Sequence, residues 1–137
     1  MRILFTGGGT AGHVTPNIAL IRRLQAEGWQ VDYIGSKTGI ERELIGALPG
    51  VTYHGVSCGK LRRYFSWQNF VDPFRVLHGF LESREIIRRV RPDVIFSKGG
   101  FVSVPVVMAA GKTPVVAHES DYTPGLANRI ACRCADR

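Results

Sequence analysis

Nowhere do the 137 residues hold an apolar run near the roughly 20 that a bilayer-spanning helix needs, and the start lacks a basic segment leading into an apolar core and cleavage site. The expectation is a chain with neither membrane span nor secretory leader, made and kept in the cytoplasm. Cysteine is scarce and odd in number, at Cys58, Cys132 and Cys134. A Cys-x-Cys pair without a His or Cys cluster lacks the spacing of a zinc site or redox dithiol, so the thiols read as reduced and no metal is expected. Acids are few as well, 11 against 18 Lys and Arg, giving a net charge of +7. That balance implies an anionic partner: nucleic acid, a phosphorylated ligand or an acidic membrane surface. No recognised nucleic-acid motif accompanies the charge, so nucleic acid is not expected.

Repeats, low-complexity tracts and linkers are also missing. With 45% hydrophobic residues the chain reads as one domain spanning 1–137. Apolar β-branched runs alternate with helical patterns, which predicts an α/β fold, an open parallel sheet with helices on both faces. Strands are expected near Arg2–Thr6, Gln30–Gly35, Val51–Gly55, Asp93–Ser97 and Pro114–Ala117. Val14, Ile18, Ile21 and Leu24 recur at helical spacing before a stop at Gly28. Thr38-Gly39-Ile40-Glu41 has capping-box spacing, with Ile40, Leu44 and Leu48 following as an apolar stripe. Asp72-Pro73 reads as N-cap and first residue of a longer helix whose stripe is Phe74, Leu77, Leu81, Ile87 and Val90. A final helical pattern covers Gly125–Cys134.

The chemistry concentrates at strand ends. After the first strand comes Gly7-Gly8-Gly9-Thr10-Ala11-Gly12-His13, with the spacing Gly-x-Gly-x-x-Gly at a strand-to-helix turn. Such a loop brings backbone N–H groups and a helix N-terminus to a phosphate. A nicotinamide enzyme further needs an acid at the end of the second strand, which here reads Tyr33-Ile34-Gly35-Ser36; Asp32 lies inside the strand and faces the sheet. A Walker loop is excluded, because no Gly-Lys-Ser/Thr follows. His13 sits where loop becomes helix and suits proton transfer, or else caps and packs there.

Ligands of open parallel sheets bind outside the carboxyl ends of the strands. Two more loops are expected on that edge. Ser97-Lys98-Gly99-Gly100-Phe101-Val102-Ser103 is a second glycine turn, before an apolar helix Val104–Ala110; it is either a second phosphate cradle with Lys98 alongside or a tight packing turn. His118-Glu119-Ser120-Asp121 follows the last strand, and its acids either enter the crevice or complement a helix dipole. Between the second and third helices, residues 58–70 interleave Lys60, Arg62 and Arg63 with Phe65, Trp67 and Phe70, without an acid. That mixture suits an anionic membrane surface, or a solvated loop whose aromatics pack back on the sheet, as Phe74 and Leu77 are expected to do.

GGGTAGHVTP, SKGGFVSVP and HESDYTPGLANRIA, in this order and spacing, together resemble the MurG family. The resemblance runs from the first residue to the last and covers the N-terminal half of a two-domain glycosyltransferase. It implies a Rossmann-like domain of the GT-B arrangement, with the C-terminal UDP-sugar domain outside this chain. The implied reaction is metal-independent and needs no cofactor: N-acetylglucosamine passes from UDP-N-acetylglucosamine to the C4 hydroxyl of undecaprenyl-pyrophosphoryl-MurNAc-pentapeptide, with inversion, on the cytoplasmic face of the plasma membrane. By this resemblance the first glycine loop, with Gly8 and Gly9, serves the lipid diphosphate, and its Thr10, Ala11 and Gly12 also touch the donor; Lys98, Gly99, Gly100 and Ser103 of the second loop are counted with the substrate-binding residues. His13 and Glu119 match residues needed for activity, one of them acting as base. Some members carry Asn where this chain has Asp121, so that donor contact falls to Asp121 or to Asn128. With a lipid as substrate, Phe65, Trp67 and Phe70 are assigned to the membrane. A non-catalytic subunit that binds a phosphorylated ligand or recruits a partner is the alternative from another class.

Overall fold

The computed structural model describes residues 1–7, 11–37, 39–56, 68–99 and 103–118, with side chains at 1–7, 14–37, 39–56, 77–99 and 103–118. Five strands, β1 (Arg2–Thr6), β2 (Gln30–Ser36), β3 (Val51–Val56), β4 (Val94–Ser97) and β5 (Val115–Ala117), form one parallel sheet in the order β3-β2-β1-β4-β5. The chain builds outward from β1 to β3, then crosses back to β4 on the other side. The order therefore reverses between β1 and β4, where Ile3 pairs with Val94 and Thr6 with Ser97. Ligands of doubly wound sheets bind at such a switch point.

Strand alternation decides which helices cover which face. Ile3, Phe5, Val31 and Tyr33 point one way and bury Val14 and Ile21 of α1 (Ala11–Ala26) and Ile45 of α2 (Ile40–Gly46). Leu4, Ile34, Val56 and Ile95 point the other way, against Ile86, Ile87 and Val90 of α3 (Gln68–Val90) and Val106 and Val107 of α4 (Ser103–Met108). Gly28 ends α1 as the sequence predicts, with a φ of 91° that only glycine adopts readily.

The helices depart from expectation in three places. In α2 the N-cap is Gly39, with no side-chain cap bond, and Ile40 is exposed while Ile45 is fully buried. Thr38 lies outside the described residues. Glu41 turns back past the expected capping position, its carboxylate accepting from Ser36 N–H at 2.9 Å and Ser36 Oγ at 2.6 Å. This reach needs two glycines: a Cβ on Gly39 would collide with Ser36 Oγ and the Glu41 carboxylate, and one on Gly35 would sit 2.7 Å from Glu41 Cγ and against the Tyr53 hydroxyl.

α3 starts at Gln68, so Asp72 and Pro73 lie inside it. Near the helix start a proline forgoes one bond, to the carbonyl four residues back, and the helix carries through. Its buried stripe also differs. Leu77 and Leu81 are each 56% exposed, whereas Ser83, Ile86, Ile87 and Val90 face the sheet with Phe80 packed against them. At 3.6 residues per turn the expected stripe joined two phases, and only the second meets the sheet. Phe74 has no described side chain. Finally, α4 ends at Met108, and Ala109 and Ala110 are buried beyond it. The expected helix over Gly125–Cys134 and the three cysteines lie outside the described residues.

Candidate functional site

The two glycine loops meet at the switch point. Gly7, directly after β1, is so closely surrounded that a Cβ there would lie 3.1 Å from Lys98 Cβ, 3.3 Å from Asn17 Nδ2 and 3.3 Å from Gly99 O. Gly7 has φ 153° and Gly99 φ 115°, both in the region that favours glycine. The backbone itself joins the loops, Lys98 N–H donating to Thr6 O at 3.0 Å. Ala11, Gly12 and His13 form the first turn of α1, so the helix N-terminus opens beside this junction. His118 stands on the same edge, its N–H bonded to Ser97 O at 2.8 Å and its ring stacked on Phe96 with centroids 6.4 Å apart.

The structure thus brings Gly7, Lys98, Gly99 and His118 together with the start of α1. Lys98 stands differently from the expectation of a cation beside bound phosphate: its side chain is 1% exposed, enclosed beneath the junction by Gly7. Ser103 opens α4 and is fully buried. Gly8, Gly9, Thr10, Gly100, Glu119, Asp121 and Asn128 lie outside the described residues, as do Lys60, Arg62, Arg63, Phe65 and Trp67; Phe70 belongs to α3 by its backbone.

Asp32 faces the sheet, as its place in the strand predicts. It accepts from His54 Nε2 at 3.1 Å and lies 3.8 Å from Arg2 Nε, away from the crevice. The end of β2 does hold an acid, Glu41, but it is wholly buried and bonded to Ser36. Neither carboxylate is presented to a nucleotide ribose in the way a nicotinamide site requires.

Sequence reasoning missed Tyr33 and Asn17. The Tyr33 hydroxyl donates to Gly7 O at 2.5 Å and accepts from Asn17 Nδ2 at 3.2 Å. Its ring stacks on Tyr53 with centroids 5.9 Å apart. Burial pushes the phenol well above its ordinary pKa, with the Asn17 bond opposing and Glu41 adding to the rise, so it is a permanent donor. The available signal was parity: Tyr33 alternates with Val31 toward α1, and Asn17 lies four residues after His13 on that helix.

A groove of about 570 Å³ between the ends of α3 and α4, lined by Arg84, Arg88, Arg91 and Thr113, opens on the opposite, amino edge of the sheet. Helix carbonyl ends point there, and they favour arginines without any bound anion. Among the described residues no group of His, Cys, Asp and Glu is placed to hold a metal ion, and no helix is long and apolar enough to cross a membrane.

Residues 3–137 match the model of the glycosyltransferase family 28 N-terminal domain. The chain is 60% identical over 138 residues to the UDP-N-acetylglucosamine--N-acetylmuramyl-(pentapeptide) pyrophosphoryl-undecaprenol N-acetylglucosamine transferase of Lachnospira eligens, covering 99% of this chain and 39% of that protein. It is 62% identical over 132 residues to the transferase of the same name from Oceanobacillus iheyensis, covering 95% and 37%. Among solved structures, Acinetobacter baumannii MurG superposes with a TM-score of 0.84 at 26% identity, over 98% of this chain and 39% of the other. The chain therefore spans well under half the length of these relatives. The MurG-like motifs, the doubly wound sheet and the family match agree, and the chain belongs to glycosyltransferase family 28 as its N-terminal domain.

Proposed function

We propose that this domain is the acceptor half of an enzyme that transfers N-acetylglucosamine from UDP-N-acetylglucosamine to undecaprenyl-pyrophosphoryl-MurNAc-pentapeptide. The observation that carries the reading is the junction of Gly7 with Lys98 and Gly99 at the switch point, beside the N-terminus of α1. In this reading the amides of Gly8, Gly9, Gly99 and Gly100 receive the lipid diphosphate, aided by the positive end of α1. Lys98 and Ser103 support the loops from beneath. Thr10, Ala11 and Gly12, with Asp121 or Asn128, touch the donor. The acceptor C4 oxygen attacks the anomeric carbon, the bond to UDP breaks with inversion, and His13 or Glu119 takes the hydroxyl proton. The reaction is tested with the full-length protein containing this chain, UDP-N-acetylglucosamine labelled in the sugar and the lipid-linked acceptor. Label is expected in the lipid product, and none there refutes the assignment.

The acceptor's polyprenyl chain stays in the bilayer, only a diphosphate away from the reacting sugar, so the crevice must approach the headgroups. Lys60, Arg62, Arg63, Phe65, Trp67 and Phe70 form the membrane contact, at the cytoplasmic face. The exposure of Leu77 and Leu81 on α3, which begins at Gln68 within the last residues of that stretch, supports the placement. Each cation near the surface contributes about 1 kcal/mol, screened by salt, whereas apolar burial is not. Replacing Arg62 and Arg63 with Glu is expected to weaken co-sedimentation with phosphatidylglycerol vesicles at low salt. Trp67→Ser should weaken it at every salt concentration. A wild-type protein that stays in the supernatant at low salt would show the stretch to be a packed loop.

A further inference from the structure

Tyr33 carries a hydroxyl where packing alone would be served by phenylalanine. Its ring is wholly buried among Phe5, Val14, Val31 and Ile45 and stacked on Tyr53. A buried hydroxyl costs desolvation unless it is bonded, and this one bonds twice, to Gly7 O at 2.5 Å and to Asn17 Nδ2 at 3.2 Å. The hydroxyl has one proton, and it goes to the Gly7 carbonyl, so the Asn17 amide must be the donor. Asn17 is fully buried as well, and its Oδ1 has no partner among the described residues, which leaves the bond to Tyr33 holding its side chain.

The target is equally specific. Gly7 is the residue at which β1 gives way to the glycine loop, and Lys98, Gly99 and Asn17 close around it. In a trans peptide the N–H lies on the edge opposite the carbonyl. A carbonyl tied to a buried phenol fixes the orientation of the whole planar peptide unit that leads from Gly7 into the loop. Asn17 also lies on α1, the helix whose first turn holds Ala11, Gly12 and His13. One hydroxyl thus joins the loop entrance to the helix behind it.

We infer that Tyr33 and Asn17 are positioning residues that lock the first glycine loop, through the Gly7 carbonyl, in the form that receives the acceptor diphosphate. The inference rests on the proposed function, and its test separates the two. In the full-length enzyme, Tyr33→Phe and Asn17→Ala should each raise KM for the lipid acceptor about 5- to 10-fold, the value of one net hydrogen bond, with kcat within about twofold and KM for UDP-N-acetylglucosamine unchanged. The double variant should be little worse than either single one, because both act through one hydroxyl. Independently of activity, amide exchange in the peptide spanning residues 7–12 should accelerate about 5- to 10-fold in both variants. Unchanged exchange overturns the inference, and so does an active variant that keeps its acceptor KM while losing thermal stability or kcat, the mark of a merely structural role. A wild type that fails to glycosylate the lipid acceptor refutes the proposed function instead, and the exchange measurement still decides the lock.

Discussion

In the full-length enzyme, His13→Ala and Glu119→Ala are each expected to lower kcat by about 10²–10⁴, with much smaller changes in the KM of either substrate. In the proposed reaction the C4 hydroxyl of the acceptor is a poor nucleophile until its proton is taken, and His13 and Glu119 are the groups assigned to that task. His13 lies in the first turn of α1, beside the junction of the two loops. Glu119 directly follows His118, whose N–H is tied to Ser97 O at the carboxyl end of β4. The backbone of His13 therefore lies on the edge where doubly wound sheets hold their ligands, and Glu119 is next in sequence to His118 on that edge. If one is the base and the other orients it or the acceptor, the double variant should be only slightly worse than the poorer single one, as for groups acting as a unit. The base is the residue whose replacement removes the acid limb of the pH profile of kcat. Near-normal turnover in both variants would make them structural.

Residues 1–137 expressed alone are expected to transfer no sugar and to bind UDP with a Kd weaker than about 1 mM, a free energy no better than about −4 kcal/mol. The described part of the domain presents backbone amides and a helix N-terminus, which serve a phosphate, whereas the acids in and after β2, where a ribose would be bound, are engaged: Asp32 by His54 and Glu41 by Ser36. The chain covers 39% of the Lachnospira relative, and in the proposed function the uridine and diphosphate contacts fall to the part outside it. Titration calorimetry on the folded domain reads the affinity directly, and a micromolar Kd for UDP would overturn this division of labour.

The sheet was legible because its signals are local. β-branched runs flanked by glycine and proline place all five strands to within about a residue, and the glycine turns after β1 and β4 are readable from composition alone. Signals that depend on a partner element were less readable. In α3, Leu77 and Leu81 hold a helical period as good as that of Ile87 and Val90, and only the position of the sheet decides which is buried. Glu41 carries the capping-box spacing, yet the nearby end of β2 offers Ser36, a second donor set that spacing cannot reveal. Tyr33, Asn17 and Gly7 are far apart in sequence and have no motif, so their meeting is a product of the β1–α1–β2 unit. Lys98 shows the opposite limit: a lysine within a glycine turn reads as a ligand cation, and spacing gives no sign that it is buried next to Gly7.

The corner at Glu41 makes volume a shared quantity among residues distant in sequence. Gly35 leaves room for the Tyr53 hydroxyl and the Glu41 side chain, Gly39 for the same carboxylate, and the Tyr53 hydroxyl in turn donates to Ser36 O at 2.6 Å. A methyl group added at position 35 must therefore be accommodated by material removed at 53 or 41, never by a shift of one neighbour alone. Natural or engineered variants should exchange these residues in sets, and a library that randomises position 35 with its neighbours fixed should return glycine almost alone.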